Sequence, residues 1–139
     1  MPNISVTNCI VCEDVRPEIR GKVSVLGFYG LLPDVEILLQ EVGKGLERLL
    51  FLFSVKGDAG NYQLVFRIHQ PNGSLITKND DTPSLDVELV QGKVLLAAIL
   101  TPGIQFPVEG EYRIIVTHRE EIIFDSTLRI KQGDQSVFN

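Results

Sequence analysis

The residues of this chain able to do chemistry are few and dispersed. Cys9 and Cys12 have the C-x-x-C spacing of redox pairs and zinc half-sites. A redox pair needs a helix N-terminus to lower one thiol's pKa, and these cysteines sit in an apolar, extended context. On a strand, positions i and i+3 point to opposite faces, so the two thiols are expected to diverge. Zinc would need two further ligands, and only His69, His118 and scattered carboxylates remain to supply them. His69 falls on the polar side of its segment near Arg67. His118 stands beside Arg119, Glu120 and Glu121 at a charged hairpin tip. Neither histidine has an x-x-x-His companion or a nucleophile motif nearby.

Acids near turns are the fairer candidates. Asp58, Asp80, Asp81 and Asp86 lie close to loop signals, and calcium-dependent sandwiches gather carboxylates at one end. Asp58, Asp80 and Asp81, with His118, are therefore weak metal candidates. Against them, no EF-hand pattern is present, and Asp is favoured in loops for its own turn-forming hydrogen bonds. Gly27 and Gly30 lack G-x-G-x-x-G spacing, and the loop from Gly57 to Gly60 lacks a P-loop Lys and Ser/Thr. No cofactor and no catalytic residue is expected, and the reading leans away from an enzyme.

The elements that would hold these residues read as strands. Tyr62, Leu64, Phe66 and Ile68 alternate with Gln63, Val65, Arg67 and His69, and Pro71-Asn72-Gly73 ends the run. Leu85, Val87 and Leu89 alternate with Asp86, Glu88 and Val90. Leu49, Phe51, Phe53 and Val55 oppose Leu50, Leu52 and Ser54, as in a central strand. Lys93 to Leu100 is apolar on both faces, which predicts a second central strand, a short buried helix being the alternative. Pro33 to Val42 also allows both: Val35, Ile37 and Leu39 fit the preferred strand, while Pro33, Asp34, Glu36 and Gly43 fit a helix. Near the end, Tyr112, Ile114 and Val116 lead into a turn at His118 to Glu121, after which Ile122, Phe124, Leu128 and Ile130 share the core face. Ser126 interrupts that face.

About eight short strands with turn signals roughly every ten residues predict an all-β fold, a two-sheet antiparallel β-sandwich of immunoglobulin-like or C2-like architecture. The 139 residues are expected to form one domain, 1–139, with a short flexible tail from about residue 133. Hydrophobic residues make up 44% and charged residues 22%, which suits a packed globular core rather than disorder. The net charge of -5, with acids and bases interspersed, weighs against nucleic acid as a partner. No run approaches the roughly 20 apolar residues of a membrane helix, so no membrane partner is expected. The start carries no signal-peptide pattern and the cysteines form no disulfide framework, which together point to the cytoplasm.

The most individual stretch is Cys12-Glu13-Asp14-Val15-Arg16, followed by Gly21-Lys22-Val23-Ser24-Val25-Leu26-Gly27-Phe28-Tyr29-Gly30. It resembles the opening of a family of small uncharacterised bacterial β-sandwich proteins. Leu49 to Phe53 and Gly110-Glu111-Tyr112-Arg113 are similar to later pieces of that family. The resemblance implies a sandwich fold and no activity. Glu13, Asp14, Arg16, Glu18 and Arg20 read as a solvated charged turn that reverses the chain. Glu13, Asp14, Arg16, Leu26 and Phe28 form a candidate interaction surface, because Leu26 with Phe28, and Leu50 with Leu52, make strands apolar on both faces. The preferred function is a noncatalytic binding or assembly module for a protein partner or a second copy, most simply a two-fold dimer. The alternative is a calcium-dependent binder or hydrolytic enzyme using the acidic loops.

Overall fold

A computed structural model describes residues 3–43, 45–46, 48–76 and 84–133. The period-two pattern becomes strands nearly throughout: β1 (Ile4–Pro17), β2 (Val23–Leu31), β3 (Glu36–Leu39), β4 (Gly45–Leu46), β5 (Leu50–Gly57), β6 (Gly60–His69), β7 (Ser84–Leu89), β8 (Leu95–Leu100), β9 (Ile104–Gln105), β10 (Gly110–His118) and β11 (Glu121–Gln132). They build a four-stranded sheet in the order β2-β1-β5-β8 and a five-stranded sheet in the order β3-β11-β10-β6-β7. β4 and β9 form a separate two-stranded ribbon. Pairing within the sheets is antiparallel, except that β3 runs parallel to β11. Both ambiguous segments are strands, and Val35, Ile37 and Leu39 are buried as that reading requires.

The core lies between the two sheets. Phe51, Phe53 and Val55 of β5 meet Tyr62, Leu64, Phe66 and Ile68 of β6 and Tyr112, Ile114 and Val116 of β10 in one cluster. Phe51 and Phe66 stack with ring centroids 4.9 Å apart, and Phe53 meets Phe66 edge-on at 5.8 Å. Two tyrosines pin the starts of inner strands. Tyr112 donates its hydroxyl proton to the Val108 carbonyl at 2.7 Å and accepts from the Val108 N–H at 3.2 Å. Tyr62 donates to the Asp58 carbonyl at 2.8 Å. Each follows a positive-φ glycine by two residues (Gly110 and Gly60) and ties back to a residue four positions upstream. A buried tyrosine closing the chain on its upstream backbone is the tyrosine corner of immunoglobulin-like sandwiches.

Three expectations change. First, the charged stretch is not a turn. Glu13, Asp14 and Arg16 belong to β1, which runs on to Pro17, and the reversal is made by a 3-10 turn at Ile19–Gly21. Arg20 and Gly21 take φ of 63° and 71° there. Mixed charge marked a two-stranded extension that leaves Glu13 and Arg16 exposed while Val15 and Val25 pack against Cys12, Leu50 and Leu52. Second, Lys93 to Leu100 is not central: β8 ends the four-stranded sheet. It is apolar on both faces without being covered on both. Third, β11 slips by one residue against β10, so that Val116 pairs with Phe124 and Thr117 with Ile122. The bulge turns Ile123 and Phe124 toward the core and leaves Ile122 exposed. The tail beyond Gly133 lies outside the described residues.

Candidate interaction surface

The two outer faces of the sandwich have opposite chemistry. On the five-stranded sheet, Arg113 grips Asp125 through two hydrogen bonds, Nε to Oδ1 being 2.8 Å. This charge-assisted grip holds the Asp125 carboxyl below its ordinary pKa. Arg67 donates to the Thr117 hydroxyl at 3.2 Å. Two open hollows of about 270 and 580 Å³ share Glu111 and Thr127, the larger reaching His69 and Arg113. This is a solvated face whose Arg113 is already neutralised by its own neighbour.

On the four-stranded sheet the outer face is apolar across all four strands. Cross-strand register places Phe28 opposite Cys12, Cys12 opposite Leu50, and Leu50 opposite Leu100. A second row runs Leu31, Ile10, Leu52, Ala98, and a third begins at Asn8 and Ser54 and ends on Leu96. Cys12, Leu50 and Leu52 form a cluster separate from the main core, with Ile10, Val15 and Val25 packed against it. Around this ridge Phe28 is 60% exposed, Leu31 47%, Leu96 45% and Leu100 39%, so the apolar rows stay open to solvent at both margins. At about 4.8 Å between strands and 6.8 Å between like-facing residues, the two apolar rows span a footprint on the order of 260 Å², with Cys12, Leu50 and Leu52 buried at its centre. The largest apolar patch of a monomeric protein is often a functional one.

One end of this face continues into an arm. β5 pairs with β1 only as far as Cys12, whereas β1 and β2 remain paired out to Pro17 and Val23. Leu26 and Phe28 stand on its second strand, Leu26 opposite Asp14 and Phe28 opposite Cys12. The arm is braced where it leaves the sheet, since Arg48 forms an ion pair of 3.1 Å with Asp14. Glu13 lies over Gly27, where an added Cβ would come within 2.6 Å of its side chain. Gly27 has a φ of 61° as well, so the position is closed to other residues on two counts. Burial, and then the Glu13 charge, raises the pKa of Tyr29. All five residues singled out from sequence are exposed or half-buried on or beside this arm and are not locked to one another, and Asp14 is held by Arg48. Sequence reasoning missed Leu31, which it did not single out, and Leu96 and Leu100, whose unbroken apolar run was read as burial.

The other candidates separate. Cys9 lies in the main core and Cys12 in the outer cluster, and both are unpaired thiols. Burial, with Cys12 nearby, pushes the Cys9 thiol far above its ordinary pKa, and burial raises Cys12 too. These are inert, apolar cysteines rather than nucleophiles. Asp58 does structural work: its carboxylate accepts the Asn3 N–H at 2.8 Å and its own N–H donates to the Asn3 carbonyl at 2.8 Å. Asp86 lies within β7, not at a turn. Asp80 and Asp81 lie outside the described residues. His118 Nδ1 is 3.2 Å from the Gln63 carbonyl and its ring meets Tyr62 edge-on. His69 Nδ1 is 3.2 Å from the Gly73 carbonyl. Among the described residues no three of His, Cys, Asp and Glu gather closely enough to hold a metal ion. No helix among them is long and apolar enough to cross a membrane.

The two packed sheets and the tyrosine corner make this an immunoglobulin-like β-sandwich. No family model matches the chain, and no curated protein does. Among solved structures it is similar to a β-glucosidase from Listeria innocua, with a TM-score of 0.51 and 12% identity over 95% of this chain. A β-glucosidase from Erythrobacter marinus gives a TM-score of 0.50 and 13% identity over 93% of this chain. An immunoglobulin-like protein from Pseudomonas aeruginosa, matched over 93% of this chain and 97% of its own, has a TM-score of 0.44 and 12% identity. The chain spans only 16% and 15% of the two glucosidases. At such identities the likeness is one of fold, a sandwich of this kind forming a small part of each glucosidase chain.

Proposed function

We propose that the protein is a noncatalytic binding or assembly module that receives a protein partner on the outer face of its four-stranded sheet and on the adjoining arm. The observation that carries this reading is the asymmetry between the outer faces. One carries the Arg113–Asp125 ion pair and the Arg67–Thr117 hydrogen bond; the other is apolar in two rows across all four strands, exposed at Phe28 and Leu31 on one margin and at Leu100 on the other. Exposing such a face costs solubility, and contact with another protein offsets that cost. The polar groups at its edge, Glu13, Asp14 and Arg16, give a rim that can select a partner without contributing much affinity. Two unpaired, buried thiols support a reducing, cytoplasmic setting.

Affinity capture from the native source tests this, comparing the native chain with Phe28→Asp. Phe28 is mostly exposed, so the variant should melt within about 0.5 kcal/mol of the native chain. A protein held by the native chain and lost from Phe28→Asp is the expected result. Identical retained proteins on both would overturn the assignment of this face.

A further inference from the structure

We infer that the free edge of the four-stranded sheet at β8 pairs with the β8 of a second copy, antiparallel about a two-fold axis through Ala98. The inference rests on the binding-module reading and names its first partner. Strand edges are normally blunted by charge, proline or irregularity, because unpaired N–H and C=O groups invite another chain. Three of the four sheet edges here are blunted. β7 carries Asp86 and Glu88, β3 is four residues long with Glu36 at its start, and β2 is broken by Gly27 at φ 61° and Gly30 at φ 148°. The fourth, β8, reads Leu95-Leu96-Ala97-Ala98-Ile99-Leu100, without a charge, a proline or a register shift. Among the described residues no strand pairs with its outer side.

The backbone fixes how a second copy can fit. The Thr101 N–H donates to the Leu49 carbonyl at 2.8 Å, so odd positions of β8 turn their hydrogen-bonding groups toward β5. By alternation, Leu96, Ala98 and Leu100 turn theirs to the free edge. Their side chains point to the outer face, whereas Ala97 and Ile99 are buried in the core. A two-fold axis perpendicular to the sheet keeps the faces matched only when odd positions oppose odd ones and even oppose even. Centring on Ala98 sets Ala98 opposite itself and Leu96 opposite Leu100. Every outward N–H and C=O from Leu96 to Leu100 then finds a partner within β8. The smallest outward side chain of the strand falls on the axis, and leucine meets leucine on either side of it. Pairing also sets the two outer faces edge to edge.

Sedimentation velocity of the intact chain at rising micromolar concentration tests the pairing. The expected result is a species of twice the 15.5 kDa chain mass. Ala98→Lys, which places like charges on the axis without touching the core, should weaken the dimer about tenfold or more while the melting temperature measured on dilute monomer stays the same. Ala98→Cys gives a register-specific readout, because directly opposed hydrogen-bonded residues sit about 5.5 Å apart, within disulfide reach. That variant should cross-link with itself under mild oxidation. Leu96→Cys should not, but should cross-link to Leu100→Cys when the two are mixed. A monomer throughout, or a dimer that persists in Ala98→Lys and never cross-links through residue 98, would overturn the inference. Capture by the Phe28 surface, measured separately, would stand or fall independently of either result.

Discussion

At the level of single residues, the groups that looked chemical turn out to be structural, and two that looked structural explain the fold. Cys9 and Cys12 occupy different apolar clusters, as opposite faces of a strand dictate. That divergence was legible, since it needs only spacing and strand character. The role of Asp58 was not, because its partner, Asn3, lies 55 positions away. The Gly-x-Tyr repeats at Gly60–Tyr62 and Gly110–Tyr112 were visible in the sequence, but their tie to a backbone group four residues upstream appears only once the chain turns. Tyr112→Phe keeps the ring packed edge-on against Phe106 and removes only the hydroxyl that serves both Val108 backbone groups. Denaturant unfolding should show a loss of about 1 kcal/mol with an unchanged m-value. A loss no greater than that of an exposed substitution would mean that water replaces the hydroxyl and that the corner does not hold the strand.

Elements were read well where one face is buried and poorly where an element's place in the sheet matters. β6 and β7 show their buried faces by alternation alone. β5 was correctly read as apolar on both faces and central, and it does lie between β1 and β8. The same pattern in β8 misled, because sequence cannot tell a strand covered on two faces from an edge strand with an apolar outer side. The slip at Ile122 and Ile123 was hidden for a related reason, since a bulge leaves no apolar gap to reveal it. Close approach of elements was equally invisible. Ile4 of β1 pairs with Gly57 of β5, and a Cβ at Gly57 would stand 2.2 Å from the Asn3 carbonyl oxygen and 2.8 Å from the Ile4 Cα. The obstacle is backbone, which cannot rotate aside. Gly57→Ala should therefore destabilise by about 1–3 kcal/mol, read as a lower thermal midpoint. An unchanged midpoint would show that the β1 terminus can lift away at no cost.

For the whole molecule, the sandwich positions two surfaces of contrasting character and leaves one edge strand open. The fold class followed from strand count and turn spacing, while the parallel β3–β11 pair and the asymmetry of the outer faces needed the sheet order. No constellation for catalysis emerges among the described residues, and the features that remain unexplained by folding alone are apolar and exposed. On this reading the outer face of the four-stranded sheet is covered when the protein works. Hydroxyl-radical footprinting reads this side chain by side chain, comparing the dilute purified chain with the same chain in extract of its native source. Phe28, Leu31, Leu96 and Leu100 should lose reactivity several-fold in the extract, while Val108 and Ile122, exposed elsewhere on the surface, should keep theirs. Equal reactivity of all six residues in both settings would contradict the claim.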